Sequence, residues 1–270
     1  MQNEFRVPAE FLSMRSVDIA RGRKVVLQDI NLQIASGEHV AILGPNGCGK
    51  STLIKAMICE CYPIVRPGME MKVYGRDRWD VQELRQHLGV VATELPGERT
   101  QVTRGLDAVV SGFFSSSTLW PNLTVTQSMR ESALDALELL GASYLRDRWV
   151  GEMSAGEKRR VMIARALVHE PETLLLDEPS NALDLAAQRE LREILRKVAR
   201  GSATRRGTGV LMVTHHLADI LPEIDRVVMM RSGRIVGDGS KRELLQADRL
   251  RELFGIELAL TEREGYWHSW

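Results

Sequence analysis

The spacing of apolar and polar positions divides the chain into strand-like and helix-like stretches. Residues 12–43 read as short strands separated by turn residues at Arg21-Gly22 and Ser36-Gly37, and His39–Leu43 closes this run as an apolar strand. Met71–Tyr74 predicts a further strand closed by Gly75, so a small antiparallel sheet is expected here. Leu53, Ile54, Met57 and Ile58 recur at helical spacing directly after a glycine-rich run, which places an amphipathic helix there. From about Val102 to Val150 the period turns helical, with Met129, Ala133, Leu134, Leu137 and Leu140 on one face and Pro121 as an interruption. Strand Leu174–Leu176, a helix carrying Leu191, Ile194, Leu195 and Val198, and strand Val210–Val213 follow in alternation, which builds a parallel sheet. Arg226–Met230 and Arg234–Gly237 flank Ser232-Gly233, a pair with hairpin chemistry, and a charged helix is predicted over 240–253. The tail from Ile256 to Trp270 reads as a terminal hairpin turning near Gly265, with Tyr266, Trp267 and Trp270 as packing aromatics. The expected class is α/β: a parallel-sheet core with an antiparallel β subdomain and a helical insertion.

Composition narrows the function without naming it. At 270 residues and 44% hydrophobic content, the chain suits one large domain or a domain with a subdomain. Its 36 basic and 36 acidic residues cancel to a net charge of +0, which gives no strong nucleic-acid signal. No stretch approaches the roughly 18 apolar residues of a membrane span, and Met1–Arg6 lacks the apolar centre of a secretory signal, so a cytoplasmic location is expected. Three cysteines, Cys48, Cys59 and Cys61, imply no disulfide framework, and the Cys59/Cys61 pair has no further cysteine nearby to complete a tetrahedral metal set.

The most informative run is Gly44-Pro45-Asn46-Gly47-Cys48-Gly49-Lys50-Ser51, which fits G-x-x-x-x-G-K-[ST] between an apolar strand and an amphipathic helix. Glycines let such a loop curl with its amides inward, Lys50 adds a point charge near the β- and γ-phosphates, and Ser51 is left to hold Mg2+. A nucleoside triphosphate is the implied ligand. Leu174-Leu175-Leu176-Asp177-Glu178 puts two carboxylates at the end of a buried strand, where ligands of open α/β sheets bind. Asp177 can reach the Mg2+ shell, and Glu178, pointing differently, can polarise a water for attack on the γ-phosphate. Met153-Ser154-Ala155-Gly156-Glu157 contains S-x-x-E before a periodic helix, a capping box. The same helix start exposes amides and a positive dipole end, and Gly156 leaves room for a phosphate to approach.

In this order, the phosphate loop, the helical insertion, MSAGE, LLLDE, SNALD and VTHH resemble the ATP-binding-cassette ATPases over nearly the whole chain, with MSAGE in place of that family's LSGGQ. The resemblance implies a P-loop NTPase (RecA-like) cassette over 1–255, a helical subdomain over about 95–165, and a hairpin-like extension over 256–270. It assigns Gly44, Pro45, Asn46, Gly47, Cys48, Gly49, Lys50, Ser51 and Thr52 to the Walker A loop, Asp177 to the magnesium carboxylate and Glu178 to the catalytic base. Ser180–Asp184 then form the D-loop, with Asp184 toward the nucleotide, and His215 falls where the family keeps its switch histidine. His216 should face elsewhere, because side chains alternate along an extended segment. Arg21 aligns with the family's adenine-stacking aromatic and reads either as a guanidinium stacking on the base or as a turn residue. The resemblance further implies a homodimer with ATP at the interface, Ser154 and Gly156 of one copy covering the ATP held by Lys50 of the other.

Two departures stand out. Ala92-Thr93-Glu94 replaces the Gln that many relatives place after the strand Leu88–Val91, where it touches Mg2+ and the lytic water, and Arg21 replaces the aromatic. The Thr-Glu form together with Ser-Ala-Gly-Glu is most similar to ATPases grouped with iron-complex and molybdate uptake. The expected function is therefore the ATPase subunit of a transporter, peripheral at the inner membrane face and bound to an integral membrane permease, with Phe113, Phe114, Leu119 and Trp120 as a candidate docking group. The alternatives are a soluble cassette ATPase acting on nucleic acid or the ribosome, supported by Arg200, Arg205 and Arg206, and a nucleotide-binding regulator that hydrolyses ATP poorly.

Overall fold

The two longest strands come first. In the computed structural model, which describes residues 9–92, 97–201 and 207–270, β1 (Glu10–Arg21) and β2 (Lys24–Ala35) pair antiparallel around a turn at Gly22, whose φ is +61°. The register shifts where Ser16 and Asp29 adopt positive φ, and side chains repair the ladder: Asn31 Oδ1 accepts from the Ser16 amide at 2.9 Å and Asp18 Oδ1 from the Asp29 amide at 2.6 Å. β3 (Val40–Leu43) is wholly buried and runs through the glycine-rich loop into α1 (Lys50–Met57). β4 (Glu70–Val73) joins the free edge of β1, completing the expected antiparallel sheet in the order β2-β1-β4. The strand begins and ends one residue before the sequence pattern suggests, because Tyr74 leaves the ladder at φ +45° and buries its ring edge-on to Phe11 and Trp79, with centroids 5.2 Å and 6.2 Å away. The short α2 (Val81–Leu84) ends this part of the chain.

Among the described residues, those within 85–208 form one compact unit, and those of 9–84 together with 209–270 form another. Within 85–208, β5 (Leu88–Val91) pairs parallel with β6 (Thr173–Asp177). Between them lie the helices α3 (Glu98–Gln101), α4 (Gly105–Val110), α5 (Gln127–Leu139) and α6 (Ala155–Leu167), and α7 (Leu185–Arg200) follows β6. α4, α5 and α6 pack on one another, and a Cβ at Gly112, just past α4, would stand 2.3 Å from the Arg165 carbonyl of α6. α5 buries Ala133, Ala136 and Leu137, with Leu140 just beyond its end. Leu134, expected on that face, turns outward with 37% of its surface exposed, so the buried stripe is narrower than its apolar residues suggest.

The chain then returns to the first unit through β7 (Gly209–Thr214), β8 (Arg226–Arg231) and β9 (Arg234–Ser240). In that unit the strands lie in the order β7-β3-β8-β9, the first three parallel and β9 antiparallel to β8. Ser232 and Gly233 at the β8–β9 turn have φ of +49° and +78°, the left-handed pair that a type I′ hairpin requires. The single charged helix expected over 240–253 is instead two. α8 (Lys241–Leu244) opens on a Ser240/Glu243 capping box, and α9 (Ala247–Phe254) follows after Gln246 turns extended. The break lets Leu245 and Leu250 both reach 0% exposure, an outcome that the continuous charge pattern hides. β10 (Leu260–Arg263) and β11 (Tyr266–Ser269) form the terminal hairpin around Glu264 and Gly265. Trp270 does not pack as expected: its ring is 72% exposed, and what holds it is backbone pairing with Ala259.

Gly233 joins these parts. Its amide donates to the Cys48 carbonyl at 2.8 Å, its carbonyl accepts from the Gln28 amide at 2.8 Å, and a Cβ there would lie 2.1 Å from the Val26 carbonyl oxygen. Gly233→Ala should therefore cost about 2 kcal/mol or more, combining backbone collision with left-handed strain. A urea titration should show a lower midpoint at unchanged slope.

Candidate functional site

Each unit carries its own share of the candidate residues. In the first, Gly44–Thr52 closes the end of β3. Gly47 and Gly49 sit at φ +77° and +110°, and the Cys48 amide donates to the Pro45 carbonyl at 3.3 Å, which curls the loop. Its outer wall is crowded: a Cβ at Gly44 would stand 2.3 Å from the Met230 carbonyl and 2.8 Å from Cys48 Sγ, and one at Gly49 would stand 2.7 Å from Leu27 Cδ2. Cys48 is buried beneath the loop, whereas Asn46, Gly47 and Ser51 are exposed. Lys50 opens α1 at only 6% exposure, and its Nζ donates to the carbonyls of Gly44 at 2.7 Å and Pro45 at 3.2 Å. The positive end of α1 thus faces the mouth of the loop.

His215 emerges beside this loop. β3 and β7 pair parallel with Leu43 opposite Thr214, and the Gly44 amide donates to the Thr214 carbonyl at 3.4 Å. The expectation for His216 fails: its ring lies against that of His215, with centroids 3.8 Å apart. The reason is local, because the chain does not stay extended. The His216 amide bends back to Thr214 Oγ1 at 3.0 Å and a 3-10 turn, Leu217–Asp219, follows at once. Arg21 is exposed at the end of β1, opposite Lys24 across the hairpin.

In the second unit, Asp177 ends β6 and Glu178 follows it at φ +45° with 9% exposure, a left-handed conformation that a glutamate adopts only under constraint. The Glu178 carbonyl accepts from Asn181 at 3.1 Å, opening the turn that ends at Asp184. Asp184 caps α7, its Oδ1 accepting from the Ala187 amide at 2.8 Å. That capping role escaped the sequence reading, although Asp ahead of a periodic helix is a start signal. The capping box at Ser154 forms as predicted, with Ser154 Oγ accepting from the Glu157 amide at 3.2 Å and Glu157 Oε2 from the Ser154 amide at 2.8 Å. Burial pushes the Glu157 carboxyl up, but the Ser154 hydrogen bonds and Arg148 outweigh it and hold it below the ordinary range. Ser154 is exposed, and a Cβ at Gly156 would stand 3.2 Å from Ala187 Cβ, so this helix start lies against the start of α7.

Arg159 is a site residue that sequence reasoning missed. One turn along α6 from Gly156, it donates to the Ala92 carbonyl at 2.9 Å; burial lowers its pKa while the Asp177 carboxylate pulls it back up. Thr93 and Glu94, the altered Q-loop positions, and Arg205 and Arg206 of the basic cluster lie outside the described residues. Cys59 is buried, and burial pushes its thiol up to about 11.

A cavity of about 330 Å³ opens within 85–208, lined in part by Arg85, Arg159, Arg165 and His169. Both ring nitrogens of His169 are buried without a hydrogen-bond partner among the described residues, and burial drives its pKa down from 6.5 to about 4. The folded state therefore favours the neutral ring, while the unfolded chain takes up a proton below about pH 6.5. Stability should fall, by on the order of 2 kcal/mol, as pH drops from about 6.5 to about 4. His169→Leu should flatten that part of the profile when denaturation midpoints are compared across pH.

Comparison with known proteins places these features in a wider set. Residues 27–181 match the family model described as ABC transporter. The ABC transporter ATP-binding protein YlmA of Bacillus subtilis is 32% identical over 246 residues, covering 90% of each chain. The hemin import ATP-binding protein HmuV of Aliivibrio fischeri is 30% identical over 253 residues, again covering 90% of each. A solved dimeric structure of the ATP-binding cassette MJ0796, in a post-hydrolysis state bound to ADP and Pi, shares the fold with a TM-score of 0.68 at 24% identity, covering 85% of this chain and 98% of that one.

Proposed function

The chain belongs to the ABC transporter family and is one of its ATP-binding ATPase subunits, and from that premise we propose that it drives a membrane permease by closing as a homodimer with ATP at the interface. The observation that carries this reading is the loop around Lys50. A nearly buried ammonium donating to two main-chain carbonyls, at 2.7 and 3.2 Å, sits at a helix start where an anion would be held by amides. Gly44–Thr52 would wrap the phosphates, with Lys50 redirecting donors from neutral carbonyls to β- and γ-phosphate oxygens, a stronger charge-assisted contact. Arg21, exposed at the hairpin end, would lie over the adenine.

The donors suit Mg2+: the exposed hydroxyl of Ser51 and the half-buried carboxylate of Asp177 are both hard oxygens. When bound, the ion would neutralise charge on the β- and γ-phosphates. Glu178 would accept a proton from the attacking water as the new phosphorus–oxygen bond forms and the bond to the β-phosphate oxygen breaks, leaving ADP and phosphate. Its backbone conformation sets the direction in which that side chain leaves the main chain. His215 would stabilise the γ-phosphate and the water from the end of β7.

Ser154 and Gly156 are exposed or half-exposed at a capped helix start, which suits a role toward ATP held by a second copy, with Asp184 at the head of the adjoining helix. The dimeric state of the cassette MJ0796 supports a dimer, and the import role in HmuV's name supports an importer. No helix among the described residues is long and apolar enough to cross a membrane; in this reading the subunit would meet its permease at the inner face. Phe113, Phe114 and Leu119 are half-buried, and Trp120, 44% exposed, carries the Arg99 guanidinium 4.9 Å from its ring centroid; this patch is the candidate contact with the permease.

Two variants test the scheme. Glu178→Gln should retain ATP, run as a dimer in gel filtration with ATP and magnesium, and lose about 100-fold or more in turnover. Lys50→Ala should abolish the calorimetric ATP signal, and wild-type turnover by Glu178→Gln would remove Glu178 as the base.

A further inference from the structure

We infer that Thr214 is a positioning residue for His215, and that the C-terminal hairpin grips the far side of the turn it organises. The inference rests on the reading of His215 as the residue that meets the γ-phosphate. Thr214 is fully buried at the end of β7 and is tied in three directions. Its carbonyl accepts from the Gly44 amide at 3.4 Å, its Oγ1 donates to Asp219 Oδ2 at 2.9 Å, and the same Oγ1 accepts from the His216 amide at 3.0 Å. His215 therefore hangs between two anchored peptide groups, one bound to the phosphate loop and the other to the Thr214 hydroxyl. Its backbone cannot rotate without breaking one of these bonds.

The second half of the device is the turn itself. Asp219, 3% exposed, closes Leu217–Asp219 with its own amide donating to the His216 carbonyl at 3.2 Å. β11 lies against this 3-10 turn. Gly265, at φ +79° on the hairpin tip, comes so close to Pro222 that a Cβ would meet that ring's Cβ at 2.9 Å. From another side Lys241 Nζ donates to the carbonyls of Leu221 and Pro222 at 3.1 and 3.0 Å, and Ile220 and Leu221 are wholly buried. The extension thus has a mechanical role: it fixes the segment whose Asp219 fixes Thr214. Catalytic groups must be held to a fraction of an ångström, and a displacement of about 1 Å can cost up to about 100-fold.

The decisive variant is Thr214→Val, which keeps size and the carbonyl bond to Gly44 but removes both hydroxyl bonds. We expect kcat for ATP to fall roughly tenfold with KM within about twofold, and Thr214→Ser to restore the rate. In a His215→Ala background Thr214→Val should add nothing further, since both act on the same group. Asp219→Asn, a nearly isosteric change that weakens the acceptor, and Gly265→Val, which pushes the hairpin off Pro222, should lower kcat in the same direction and keep the inference testable if Thr214→Val folds poorly. Unchanged kcat in Thr214→Val, no rescue by Ser, or an equal loss in the His215→Ala background would overturn the inference. If His215→Ala alone turns over ATP at the wild-type rate, the reading of His215 falls and this inference with it; if His215→Ala is impaired and Thr214→Val is not, only the inference falls.

Discussion

A backbone that curls tightly between a strand and a helix must have its convex side held by something else, because such a curl has little secondary structure of its own. Here the hold is a single residue at the β8–β9 turn, Gly233, hydrogen-bonded to Cys48 through its amide and to Gln28 through its carbonyl. Gly44 presses on the Met230 carbonyl from the same hairpin, and Gly49 on Leu27 of β2. The positive φ at Ser232 and Gly233 is what brings the turn within bonding distance of the loop. Glycine is needed at both surfaces of this contact for the same steric reason: neither has room for one more carbon.

Electrostatics are arranged differently in the two units. In the first, Lys50 donates to two neutral oxygens of the main chain, those of Gly44 and Pro45. Around Asp177 a buried guanidinium, Arg159, opposes the carboxylate from the helix that carries the capping box. The same guanidinium donates to the Ala92 carbonyl at 2.9 Å, just past the end of β5.

Local chemistry was legible in the sequence and distant contact was not. The phosphate loop, the Ser154–Glu157 box and the Ser232-Gly233 turn depend on a few consecutive residues whose types dictate their geometry, and each forms as read. Those readings cover most of the candidate residues. What the sequence withheld depends on partners far along the chain: that Gly233 braces Cys48, that Thr214 binds Gly44, and that Arg159 binds the Ala92 carbonyl. Periodicity misled where packing overrode it. Leu134 lies on an apolar stripe wider than the surface available to bury it, and the charged helix breaks at Leu245 and Gln246 so that leucines on both sides can be covered. His216 was misplaced because alternation holds only while the strand lasts, and β7 ends at Thr214.

One unit is assembled from two separate stretches of the chain, with residues 85–208 interposed. The curl near residue 48 and the peptide that supports it at residue 233 are therefore made at very different moments of translation. While the ribosome is still producing the interposed segment, the early strands have no β7 or β8 to flank β3, and closing so long a loop is entropically slow. The support of the curl is thus deferred until residue 233 has been made, long after the curl itself has left the ribosome.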